Sequence, residues 1–138
     1  MKELTVSAQT ECLEQVHALL RQTLQQFCWE EKEIAPLELA VEEIFVNICH
    51  YAYSEKGGNV WIVIEYLTKP PAVKICLTDW GVSYNPLEEE EPDLELGALQ
   101  RPIGGLGIFL MRKIIDQVTY ARNGNANCLT LVKYREKG

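Results

Sequence analysis

The 138-residue chain carries 20 acidic against 13 basic residues, a net charge of −7. That balance argues against sequence-independent nucleic-acid binding and against an anionic membrane surface, because both depend on Lys and Arg meeting phosphates. With 47% hydrophobic and 24% charged residues the composition is that of an ordinary globular protein, and the length suits one domain, residues 1–138, with a sizeable core.

No apolar run approaches a membrane span, and the opening Met1-Lys-Glu-Leu-Thr lacks a signal-peptide pattern, so a cytoplasmic location is expected. The cysteines, Cys12, Cys28, Cys49, Cys76 and Cys128, are odd in number and form no CxxC pair. They read as small buried residues of a reducing compartment. His17 and His50 have no clustered ligands around them, which disfavours a structural zinc site.

Taken in order, residues 2–7 (KELTVS) alternate as a short edge strand. Thr10 is placed to cap a helix running to about Cys28, whose apolar face is Leu13, Val16, Leu20, Leu24 and Phe27. Glu30 to Glu33 reads as a charged connection, and Pro36 suits the first turn of a second helix, where its missing N–H costs nothing. That helix ends before Lys56-Gly57-Gly58. Two strands follow, Asn59–Thr68 and Ala72–Asp79, and the short Lys69-Pro70-Pro71 link makes them an antiparallel hairpin. Between Trp80 and Pro102 the pattern breaks around three prolines and the acidic run Glu88–Glu91. A loop of this length inside a compact domain is typically a lid, a binding loop or disordered. Gly104-Gly105-Leu106-Gly107 then opens a helix with apolar Ile108, Met111, Ile114 and Ile115. A last hairpin joins Gln117–Arg122 to Asn127–Tyr134 through Asn123-Gly124-Asn125. The order predicts an α+β fold, a two-layer sandwich of a mixed, mostly antiparallel sheet with helices on one face.

The second helix, PLELAVEEIFVNICHYAY, holds the polar residues that need explaining. Leu37, Val41, Ile44 and Ile48 keep the spacing of a core face. Glu43 and Asn47 lie four residues apart, hence one above the other on a neighbouring face, with His50 on the same stripe. Asp79-Trp80-Gly81 places an acid where a buried strand ends. The glycines at 104–107 let backbone N–H groups approach a ligand at a helix N-terminus, which favours phosphate. The sequence is neither a Walker A loop nor a Rossmann glycine fingerprint.

In the order and spacing of these three elements the chain resembles the GHKL (Bergerat-fold) ATPases, and among them the anti-sigma-factor serine kinases of the RsbW and SpoIIAB type. The resemblance covers nearly the whole chain. It implies that Glu43, in ELAVEEIFVNICHYAY, is the general base and that Asn47 is the Mg²⁺ ligand. In DWGVSYNPL it implies that Asp79 accepts a hydrogen bond from the adenine amine and that Gly81 closes on the base. In RPIGGLGIFLMRKIID it implies that the Gly104–Gly107 cluster, through Gly105, Leu106 and Gly107, holds the phosphates of ATP. Arg101 would reach the γ-phosphate from a lid at about residues 82–103, and Thr130 in NCLTLVKY would support the adenine. The implied substrate is a serine or threonine of an anti-anti-sigma (STAS-domain) partner, with a sigma factor as a second partner and a homodimer as the assembly.

Two positions depart from the family pattern. Tyr51 stands where many members have His, with His50 one position early, and Ser83 replaces the second glycine of Asp-x-Gly-x-Gly. The altered glycine box leaves two expectations: a protein serine/threonine kinase, or a nucleotide-gated protein-binding switch with little phosphoryl transfer. A sensor histidine-kinase domain is disfavoured, since only one helix fits before Pro36.

Overall fold

A computed structural model describes residues 1–54, 57–85, 87 and 111–135. The sheet has five strands: β1 (Lys2–Ser7), β2 (Asn59–Thr68), β3 (Pro71–Asp79), β4 (Gln117–Asn123) and β5 (Ala126–Tyr134). Their spatial order is β1-β2-β3-β5-β4, and all four pairings are antiparallel. The expected mixed sheet is therefore antiparallel throughout the described strands. Two helices, α1 (Leu13–Gln26) and α2 (Glu31–Tyr51), cover one face. A helical segment at 111–114 adds Met111, which is buried at 1% exposure.

Strand alternation fixes which face is covered. Val60, Ile62 and Ile64 of β2, Ile75 and Leu77 of β3, and Leu129 and Leu131 of β5 are buried. They pack with Val16, Leu20 and Leu24 of α1 and with Leu37, Val41, Ile44, Phe45 and Ile48 of α2. The intervening residues Trp61, Cys76, Cys128 and Thr130 line a shallow depression on the opposite face. The second hairpin turns at Gly124 and Asn125, with Gly124 at φ +61° as the first turn residue. Glycine supplies that backbone without strain.

Two helix starts differ from the sequence expectation. Thr10 opens a 3-10 turn, Thr10–Cys12, and is not the cap of α1, which begins at Leu13. Helix α2 begins at Glu31, five residues ahead of Pro36, so Glu30–Glu33 is not a connection. Pro36 stands in the helix interior and removes the bond to the Lys32 carbonyl, a cost of about 3 kcal/mol. The extra turns offset it. Ile34 is buried at 1% exposure, contributing about 1.5–3 kcal/mol. The Glu30 backbone N–H donates to Glu33 Oε1 at 3.0 Å, half of a capping box. Arg21 on α1 pairs with both Glu31 and Glu38. From the end of β5, Arg135 donates to Glu33 Oε2 at 3.2 Å and to the Phe27 and Cys28 carbonyls at 2.9 and 2.7 Å.

The chain leaving β3 docks on the end of α2. Val82 N–H donates to the Ala52 carbonyl at 2.8 Å. The Tyr53 hydroxyl donates to the Asn59 carbonyl at 2.6 Å and accepts from Trp80 N–H at 2.7 Å. Gly81 is a glycine for want of room: a Cβ there would lie 2.0 Å from the Ala52 carbonyl oxygen. Gly81→Ala must push two backbone segments apart. It is expected to cost roughly 1–3 kcal/mol of stability, read as a lower urea midpoint with unchanged slope. An unaltered midpoint would mean that this docking does not hold in solution.

Candidate nucleotide site

Helix α2 and the ends of β3 and β5 enclose a cavity with an apolar floor of Ile44, Ile48, Leu77 and Leu129. Its polar groups are Asn47, Asp79, Tyr84, Tyr120 and Asn127. Asn47, Asp79 and Asn127 are only 7%, 4% and 5% exposed. Three elements far apart in sequence thus bring a carboxylate and two amides to one apolar pocket, the usual make-up of a small-molecule site.

Asn47 makes no side-chain hydrogen bond to any described residue. Its amide atoms are not sealed from solvent, since among the described residues only His17 Nε2 is a fully buried side-chain polar atom without a partner; at the cavity wall the amide is open to water or to a ligand. Its oxygen is a hard donor suited to Mg²⁺. Among the described residues no cluster of three or more His, Cys, Asp or Glu side chains could hold a metal unaided. An ion here would take its remaining ligands from phosphates and water, as Mg²⁺ commonly does.

Glu43 lies one turn before Asn47 and is half-buried. Burial, with the neighbouring Glu42 carboxylate adding to it, raises its pKa above the ordinary glutamate value. A stronger carboxylate base is the result.

Asp79 accepts two hydrogen bonds, both on Oδ1: Gly81 N–H at 2.9 Å and Asn127 Nδ2 at 2.9 Å. Oδ2 has no donor among the described residues. Asn127 also donates to the Val82 carbonyl at 2.8 Å. Its Oδ1 accepts from the Tyr120 hydroxyl and from Arg122 Nη1. Arg122 Nη1 reaches the Gly81 carbonyl as well, at 2.8 Å.

Thr130 is not at this site, contrary to the role the resemblance implied. It pairs with Cys76 and lies on the opposite sheet face, its hydroxyl 3.9 Å from Cys128 Sγ. Asn127, opposite Asp79 in the β3–β5 register, stands at the cavity instead. The sequence held a signal for this. Leu129 and Leu131 are the apolar members of an alternating strand, so the inward residues are odd-numbered and Thr130 points out. Gly81 sits beside the cavity, packed on Ala52. His50 is exposed, its ring 6.1 Å from that of Tyr51. Arg101, Gly104, Gly105, Leu106, Gly107, the acidic run Glu88–Glu91 and most of the expected lid fall outside the described residues.

A family model described as a histidine kinase-like ATPase domain matches residues 6–133. The serine-protein kinase RsbW of Bacillus pumilus is 29% identical over a 115-residue alignment that covers 77% of this chain and 69% of that protein. RsbW of Staphylococcus aureus (strain bovine RF122 / ET3-1) is 27% identical over a 111-residue alignment that covers 76% of this chain and 68% of the relative. Among solved structures, the RsbU and RsbW domains of Rv1364c from Mycobacterium tuberculosis superpose with a TM-score of 0.60 at 15% identity, over 97% of this chain and 32% of that one. The histidine kinase domain of Erythrobacter litoralis EL346 blue-light activated histidine kinase gives a TM-score of 0.51 at 13% identity, over 74% of this chain and 44% of that one. These structures share the fold, and the sequence relatives agree with the resemblance carried by the motifs. The match spans nearly the whole length, from β1 to β5, and the protein belongs to the histidine kinase-like ATPase family.

Proposed function

We propose that the chain is an ATP-dependent protein serine/threonine kinase that acts as an anti-sigma regulatory factor. The observation that carries this reading is the unpartnered Asn47 amide facing the same cavity as Asp79, with the base-strengthened Glu43 one turn away. Asp79 Oδ2 takes the adenine 6-amino group, and a purine presenting a carbonyl there meets a carboxylate and is rejected. Asn47 would hold Mg²⁺, which when bound would neutralise charge on the phosphates. Gly104, Gly105, Leu106, Gly107 and Arg101 hold the phosphate chain, a role resting on the motif resemblance.

Glu43 performs the proton chemistry. The acceptor serine or threonine hydroxyl attacks the γ-phosphorus, the bond to the β–γ bridging oxygen breaks, ADP leaves, and the hydroxyl proton passes to the Glu43 carboxylate. The acceptor belongs to a STAS-domain anti-anti-sigma protein, as the RsbW likeness suggests. The new phosphate adds about −1.5 to −2 charges and opposes the acidic surface of this chain, favouring release. A sigma factor is the alternating partner, and the working unit is a homodimer in the cytoplasm. No helix among the described residues is long and apolar enough to cross a membrane.

Titration calorimetry tests the site first. ATP and ADP should bind with Mg²⁺ present and GTP should not. Asp79→Asn should weaken ATP roughly 10- to 100-fold, the loss of a charge-assisted hydrogen bond worth about 1.5–3 kcal/mol. No binding of any nucleotide at millimolar concentration would overturn the reading.

Glu43→Gln tests the chemistry. Phosphorylation of a STAS substrate should fall by about 10²–10⁴-fold while ATP binding persists. A carboxylate whose folded pKa is raised stabilises the fold below its unfolded pKa and loses that contribution as pH rises through the folded value. At neutral pH the Glu43 charge is therefore a net cost, and Glu43→Gln should melt at the same temperature or higher. A wild-type rate in this variant would remove Glu43 as the base.

The pH profile follows from the same shift. The phosphorylation rate should drop on acidification at a pH above the ordinary glutamate range, as Glu43 takes up its proton. Glu42→Gln removes the like-charge contribution and should move that acid limb to lower pH. A limb that stays in place would assign it to another group.

A further inference from the structure

The first resource an adenine-reading carboxylate needs is orientation. A free carboxylate at the end of a strand rotates about χ2 and presents either oxygen, alone or shared, to whatever enters. Asp79 does not have that freedom. Its Oδ1 is saturated by two N–H donors, one from its own turn through Gly81 and one from the Asn127 amide across the sheet. The first bond is local and moves with the turn. The second reaches 48 residues along the chain to a different strand.

Asn127 is itself fixed. Nδ2 spends its two hydrogens on Asp79 Oδ1 and the Val82 carbonyl. Oδ1 accepts from the Tyr120 hydroxyl and from Arg122 Nη1. Two acceptors on one side and two donors on the other leave a single amide orientation that satisfies all four. A flipped amide would set its oxygen against a carboxylate and a carbonyl. At 5% exposure no water relieves such a clash cheaply. Charge supports the arrangement too: among the described residues Arg122 is the cation bonded to this group, and it also grips the Gly81 carbonyl.

We propose that Asn127 is the positioning residue for base selection: by saturating Oδ1 of Asp79 and tying down the Val82 carbonyl, it leaves Oδ2 as the acceptor that reads an exocyclic amine on a purine. This rests on the nucleotide reading above and deepens it, since it assigns the source of selectivity and not the presence of the site. Tyr120 and Arg122 act behind Asn127, holding its amide in the one productive orientation. Asn127 touches the carboxylate and acts on the base through it.

The test compares ATP with purine riboside triphosphate, which has hydrogen in place of the 6-amino group, by titration calorimetry. Wild type is titrated first and should prefer ATP by about 10- to 100-fold. Failure to bind either ligand would overturn the nucleotide reading, and this inference with it, before any variant is made. Asn127→Ala should lower ATP affinity while leaving purine riboside triphosphate nearly unchanged, so the preference collapses toward unity. In an Asp79→Asn background, Asn127→Ala should then change nothing further. A preference kept by Asn127→Ala, or equal losses for both ligands, would make Asn127 structural only and sink the proposal.

Asn127→Asp keeps the shape and decides the matter if the alanine variant does not fold. It retains Tyr120 and Arg122 as donors but faces Asp79 with a second carboxylate. The ATP preference should be lost at neutral pH and recovered on acidification, when the pair shares one proton and the acid again donates to Asp79. A preference equal to wild type at every pH would overturn the proposal.

Discussion

Burying α2 against a single face of the sheet is the constraint on which the site depends. Val41, Ile44, Phe45 and Ile48 are 0–9% exposed, and their packing sets the rotation of the helix about its axis. Asn47 falls between Ile44 and Ile48, so it cannot turn to water without dragging that apolar set out of the core. Each of those side chains contributes about 1.5–3 kcal/mol when buried, so the apolar set fixes the helix rotation and keeps the Asn47 amide at the cavity wall.

The two carboxylates of the proposed function lie in different environments. Asp79 sits at a strand end with two N–H donors on one oxygen, an arrangement that holds a charged acceptor in a fixed direction. Glu43 is half-buried beside Glu42 on the shoulder of α2 and is pushed toward the protonated form. The first suits recognition and the second suits proton transfer. Such divergence between neighbouring acids is a general way of assigning roles with one residue type.

Much of this was legible in the chain. Strand-like runs bounded by turn signals located all five strands within a residue or two. Asn47 and Asp79, both singled out from the sequence, line the cavity, while Glu43 is not among its lining residues. Two misreadings have physical causes. The start of α2 was placed at Pro36, since a proline argues locally for a helix N-terminus. Arg135, 102 residues from Glu33, helps to hold the extra turns instead, and no local rule contains that contact. Thr130 was taken from the family resemblance, while the strand's own parity already turned it to the far face. Asn127 went unnoticed because an asparagine beside a hairpin turn reads as turn chemistry. Its partner Asp79 appears only once β3 and β5 are in register.

That register has a kinetic consequence. The cavity needs β3 beside β5, and these strands are separated in sequence by the 80–116 stretch and by β4. Closing so long a loop must be paid in entropy before the pairing returns any energy, which places it late in folding. Hairpins β2–β3 and β4–β5 are local and can form first. The Asp79–Asn127 end of the cavity thus exists only when the whole sheet is assembled. A ligand held there draws on the global unfolding equilibrium rather than on a local one, so its protection against amide exchange should spread across β2, β3 and β5 together.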